Sequence, residues 1–211
     1  MNNAAVAVLD EFDGVLHGLV GLYFDASTGF SFIKERNELN LQNLVSRHQY
    51  DPTHPPSVTY SDGDPQDSNA IVYHVAPIDH LIARNEKQGP NQAFLGRSIL
   101  VTIYSYWEDH YRQHLATALG CAKNEITGDI WGDIRRLRQA VTHHRSIATP
   151  DVERCKILKW FKAGNEIILN DNHMKAMIIQ IRYYFDSVLA KMGAAAPRYS
   201  GKRDPGGHLI I

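Results

Sequence analysis

Arg138 and His143 stand five residues apart, with Gln139 directly after the arginine and a second histidine, His144, directly after the first. A guanidinium stays charged and grips phosphate oxygens, and an imidazole takes and gives protons near neutrality. Such a pair suffices to cleave an RNA phosphodiester by attack of the strand's own 2′-hydroxyl, with no metal and no cofactor. The spacing alone says little, because an arginine followed by a histidine after four to six intervening residues also occurs at Arg47 to His54 and at Arg203 to His208. Context separates the three. Arg47 precedes a proline-rich stretch and Arg203 lies in a glycine-rich tail, whereas Arg138 ends a segment in which Ile130, Trp131, Ile134, Leu137 and Val141 recur at helical spacing.

Five residues on an ideal helix set two side chains about 140° apart. Arg138 and His143 therefore meet only if the helix unwinds near Thr142 or a second copy of the chain supplies one of them. Arg135 and Arg145 flank the pair and are candidates for contacting an RNA backbone. The plain alternative is a cationic helix end, where Arg and His complement the helix dipole.

Three other groupings carry chemistry on paper. Glu108 could orient Arg138 or the histidine, or simply pair with Arg112 four residues on. His110 and His114 have a zinc-chelating spacing but no third ligand nearby, so no metal site is expected. Asp129 and Asp133 share a helix face, as paired hydrolytic carboxylates would, but acids are also favoured in the first turns of a helix.

The chain of 211 residues is 44% hydrophobic and carries a formal net charge of -1. It can bury a core, and it lacks a global basic field, so a polyanion must be drawn to a local cluster. Residues 131–162 supply one: Arg135, Arg136, Arg138, Arg145, Arg154, Lys156, Lys159 and Lys162 face only Asp133, Asp151 and Glu153. Cys121 and Cys155 have no partner in ligand spacing and fit free thiols in a reducing interior. The apolar run Ala4 to Phe24 is broken by Asp10, Glu11 and Asp13, which argues against a membrane span or signal peptide; a cytoplasmic location is expected.

The elements that must position these groups follow from periodicity. Helices are predicted over about 4–24, 30–47 and 77–87. Pro90 opens a long helix that stops at Gly120, Thr127 caps the Arg138 helix, Thr149-Pro150 starts another through Phe161, and Asn170 or Asp171 caps the last, to Met192. Between Gln49 and Asn69 the chain is polar and proline-rich, with Ser57–Tyr60 and Ala70–Val75 able to pair as a hairpin. The expected organisation is an N-terminal helical extension and loop region (1–89), a helical domain (90–193) and a flexible tail (194–211).

Residues 90–192, about half the chain, resemble the HEPN family. The resemblance rests on Ile103-Tyr104-Ser105-Tyr106-Trp107-Glu108, on Ile134 through His144, and on Ile157 through Leu169, in this order. It implies an all-α, HEPN-type helical bundle, usually dimeric. It also implies a metal-independent endoribonuclease for single-stranded RNA or tRNA, acting as a toxin or anti-phage effector, with an antitoxin or defence partner. The family's arginine falls on Arg138, its histidine on His143 and its acidic residue on Glu108, with Asp109 as the neighbouring alternative. Gln139 and His144 stand where asparagine is common, which leaves open which histidine acts. Other members have lost catalysis, so the alternative is a silent module that binds a nucleotide, RNA or partner protein. Ser146 and Ile147 occupy the place of a tyrosine that some members use for control by an antitoxin.

Overall fold

The computed structural model describes residues 2–47, 49–51 and 53–201; Arg203 and His208, and the end of the expected tail, lie outside them. Among the described residues the chain is mostly helical, with one small antiparallel sheet. It divides into one unit of residues 1–24 and 93–211 and a second of residues 25–92.

Helix α1 (Asn3–Ser46) runs without a break through both predicted N-terminal helices. Its part up to Phe24 belongs to the first unit and buries Leu9, Phe12, Leu16, Val20 and Tyr23, a stripe with steps of three and four. The long helix from Pro90 is observed as α3 (Pro90–Tyr106), a π-helical turn at Trp107–Tyr111 and α4 (Arg112–Leu119), ended by Gly120 with φ +69. The buried positions Ile103, Trp107, Tyr111 and Leu115 are each four apart. On a regular helix that spacing drifts about 40° per step. The wider π turn takes up the drift and keeps all four on the core side.

Helix α5 (Asp129–His143) and helix α6 (Asp171–Lys191) complete this unit. Its centre is aromatic: Trp107 and Trp131 stack with ring centres 4.1 Å apart, Phe12 stacks on Tyr111 at 4.3 Å, and Tyr184 meets both tryptophans edge-on. Asp13, one of the acids that breaks the N-terminal apolar run, is buried and accepts from Arg182 Nε at 2.7 Å.

Three expectations are corrected here. Thr127 is not the cap of α5; the N-cap is Gly128, without a side-chain cap, and a Cβ there would lie 2.6 Å from Cε2 of Tyr184. The helix expected over Pro150–Phe161 reduces to one 3-10 turn, Val152–Arg154, because the amides of residues 156–158 bond instead to the carboxylate of Asp133. The segment expected to be mobile after Gly193 is docked as far as it is described. Arg198, Tyr199 and Ser200 donate their amides to Asp186, Arg198 pairs with Asp10, and Tyr199 is fully buried.

In the second unit, strands β1 (Ser57–Asp62) and β2 (Ile71–Pro77) form the predicted hairpin, with a bulge between Tyr60 and Ser61. Helix α2 (Ile78–Arg84) follows and buries Ile78 and Leu81. His54 here meets Asp51 at 3.0 Å rather than Arg47. Among the described residues, no helix is long and apolar enough to cross a membrane.

Candidate functional site

Helix α5 owes its face pattern to the sequence. Ile130, Ile134, Leu137 and Ala140 are buried, while Arg135, Gln139, Thr142 and His143 are exposed. Asp133 sits among the buried residues with no exposed surface. Its carboxylate accepts the backbone N–H of Lys156 (2.9 and 3.0 Å), Ile157 (2.6 Å) and Leu158 (2.9 Å) and lies 3.5 Å from Arg136 Nη1. A buried carboxylate needs such a set of donors. Asp129 instead pairs with Lys156 Nζ at 2.7 Å in an exposed position. The two acids do different work, and the paired-carboxylate arrangement is not formed.

The C-terminal end of α5 is sharply made. Helical geometry persists through His143, and the Ala140 carbonyl accepts both the His144 amide (3.0 Å) and the Ser146 amide (3.2 Å). Arg145 and Ser146 then take φ +52 and +64, two successive left-handed residues without glycine. Each costs about 1–2 kcal/mol. The strand-like contacts that follow hold them: Ile167 N–H donates to the Ser146 carbonyl at 2.7 Å, and Ala148 N–H to the Asn165 carbonyl at 2.8 Å. The result is an exposed run of His143, His144 and Arg145 at the helix end. Strain of this kind gathers at functional sites.

Because α5 does not unwind at Thr142, whose hydroxyl donates to the Arg138 carbonyl at 2.9 Å, Arg138 and His143 stay about 140° apart within one chain. Arg138 is half-buried, and its Nε is buried with no hydrogen-bond partner among the described residues. Its charge is felt by Tyr104 of α3: burial pushes that phenol up and Glu108 adds to the rise, while Arg135, Arg112 and Arg138 oppose it. Glu108 does not serve Arg138. It is held by Arg112 Nη1 at 2.9 Å and Lys123 Nζ at 3.0 Å. Burial alone would raise the Glu108 carboxyl, but hydrogen bonds from Lys123 and Arg112 outweigh it and keep it below the ordinary range. Asp109, the neighbouring alternative, is exposed.

What one chain does bring together is a different set. Arg136, Gln139 and His144 line a cleft of about 430 Å³ with Thr149, Pro150 and Asp151. An adjoining groove of about 270 Å³ is lined by Arg135, Arg136 and Arg154 around the single carboxylate of Asp151. Arg136 Nε is 3.6 Å from Asp151 and Arg154 Nη1 is 3.2 Å from it. Arg136 is shared between Asp151 and Asp133, Arg154 pairs with Asp151, and Arg135 lines the groove beside them; three cations against two acids leave a net positive surface suited to a phosphate diester. Arg136 belongs to the cationic cluster of residues 131–162 and is an addition to the expected site residues. Its position seven before His143 and three before Gln139 puts it on their helix face. Asp133 was likewise legible as an acid inside an apolar stripe.

The rings of His110 and His114 meet edge-on, with centres 4.0 Å apart and planes inclined at 62°. Among the described residues no group of three or more His, Cys, Asp or Glu could hold a metal ion. Compared with protein-family models, with curated proteins and with solved structures, the chain finds no match in any of the three.

Proposed function

We propose that this protein is a HEPN-type, metal-independent endoribonuclease for single-stranded RNA or tRNA, acting as a toxin or defence effector and working as a homodimer. The observation that carries the reading is the end of α5, where exposed His143 and His144 precede two left-handed residues and His144 lines a cleft with Arg136, next to a groove that also holds Arg135 and Arg154. A histidine takes the proton of a ribose 2′-hydroxyl, the 2′-oxygen attacks phosphorus, and the 5′-oxygen leaves with a proton from an imidazole. Arginine stabilises the charge that builds on the phosphate oxygens. The products are a 2′,3′-cyclic phosphate and a 5′-hydroxyl.

Two arrangements fit this chemistry. Arg138 and His143 of different copies meet across a symmetric interface, or Arg136 and His144 act within one chain. Mixing inactive variants separates them. If the site is composite, combining Arg138→Ala with His143→Ala restores part of the cleavage, because one mixed pair keeps both groups. If the site lies in one chain, combining Arg136→Ala with His144→Ala restores nothing. The divergence of Arg138 and His143 on an unbroken helix also favours a second reading, a module that binds RNA, a nucleotide or an antitoxin-like partner without cutting. Full cleavage by all four single variants would remove the nuclease mechanism; RNA retention without cleavage by the wild type would establish the binding module.

A further inference from the structure

A second cleft, of about 220 Å³, opens near the start of α5 and is lined by Tyr104, Trp107, Arg112, Gly128, Trp131 and Arg135, with Glu108 at its side. Its wall is the stacked pair of Trp107 and Trp131, fixed at 4.1 Å with ring planes 6° apart. Trp131 is 5% exposed, and its indole N–H is buried with no hydrogen-bond partner among the described residues. The pyrrole edge of that ring is turned to Gly128, where a Cβ would lie 3.4 Å from Trp131 Cδ1. A buried indole N–H normally has an acceptor. The nitrogen has almost no accessible surface, so an acceptor in the cleft reaches it once the edge of Trp131 or the backbone at Gly128 gives way.

Charge adds the second half of the argument. Arg112 and Arg135 both reach the cleft, while its one carboxylate, Glu108, is already matched by Arg112 and Lys123. Arg135 is exposed and has no ion-pair partner among the described residues. An aromatic wall, an unmet donor and a free guanidinium together describe a planar ring that carries an acceptor and, one sugar away, an anion. The volume lies below the range usual for drug-sized ligands and suits one ring system.

We propose that this cleft is a subsite for a single nucleotide of an RNA strand, with the base on the half-buried ring of Tyr104, its edge toward the nearly buried Trp131, and its phosphate on Arg135. The proposal rests on the RNA reading of the α5 end and deepens it. Arg135 precedes His143 by eight residues, about 12 Å along the helix axis, so the bound nucleotide is not the one that is cut. It sets the position of the strand and makes cleavage depend on a base some way from the scissile phosphate.

The test reads the three indole N–H signals of the intact protein, those of Trp107, Trp131 and Trp160, by proton–nitrogen NMR during titration with nucleoside 5′-monophosphates, ribose 5-phosphate and inorganic phosphate. Saturable shifts of Trp131 and Trp107 with a nucleotide, with Trp160 unmoved, are expected. Arg135→Ala and Arg135→Gln should weaken that binding about tenfold, the share of one charge-assisted contact. Equal affinity for ribose 5-phosphate, or no shift at Trp131, would overturn the proposal. Because no cleavage is measured, nucleotide binding by a protein that leaves RNA intact would sink the nuclease mechanism and leave this subsite standing. RNA cleavage without nucleotide binding would do the reverse.

Discussion

Replacing Asp133 by alanine tests how the cationic surface is built. The carboxylate is fully buried and satisfies three successive amides, those of Lys156, Ile157 and Leu158, and it lies beside Arg136. Removing it strands three N–H groups, each worth about 1–3 kcal/mol when left unpaired and buried. The segment can turn part of itself toward water, because Lys156 is exposed and Ile157 is 39% exposed, so the lower end applies to two of the three. The expected loss is about 3–5 kcal/mol, in the range seen when one partner of a buried ionic cluster is deleted. For a chain of this size that is a fall of about 6–20 °C in Tm. Urea denaturation gives the free energy, and hydrogen exchange gives the location: protection should vanish at residues 156–158 and persist in α6. Asp133→Asn keeps the shape but points an amide N–H₂ at amide donors, so it should fall between the wild type and alanine. A loss under about 1 kcal/mol with protection intact would refute the claim that this carboxylate organises the segment.

Gly96→Ala should destabilise by about 1–3 kcal/mol, read in the same denaturation series, since its Cβ would lie 2.7 Å from the Leu169 carbonyl oxygen. Ser146→Gly relieves a left-handed residue and adds chain entropy to the unfolded state, for a net gain of about 0.5–1 kcal/mol, and circular dichroism melts will show it. His173 is held below the ordinary imidazole range by burial, against a smaller opposing hydrogen bond at Ile168. Its folded pKa is thus below its unfolded one, so the stability it contributes is complete above about pH 6.5 and is lost as the pH falls from there. Denaturation at pH 7.5 and 5.5 should show that loss in the wild type and a smaller one in His173→Gln.

Much of this fold was legible because its signals are local. The hairpin, the Pro90 start and Gly120 stop of the long helix, the Asn170 cap and the apolar stripes all follow from residue types at short spacing. What failed depended on distant partners. Pro150 and the residues after it have a helical composition, yet a carboxylate more than twenty residues earlier takes their amides. Thr127 is a good cap by type, but the close approach of Tyr184 gives the place to Gly128. The tail reads as loose because of its Gly, Ala and Pro, yet Asp186 takes its amides, Asp10 takes the Tyr199 hydroxyl and the Tyr199 ring packs edge-on against Phe185. At the site, the sequence reveals the residues but not which share a surface. Arg136 joins His144 through the loop at Thr149–Asp151, and no spacing within α5 encodes that loop's position.

The most direct trial of the central claim is the chemistry of the RNA ends. Single-stranded RNA incubated with the purified protein in EDTA should yield 2′,3′-cyclic phosphate and 5′-hydroxyl termini by mass spectrometry. The double variant His143→Ala/His144→Ala, folded by circular dichroism, should yield none. Unchanged cleavage by that double variant, or wild-type products ending in 3′-hydroxyl and 5′-phosphate, would contradict an imidazole acting at the end of α5.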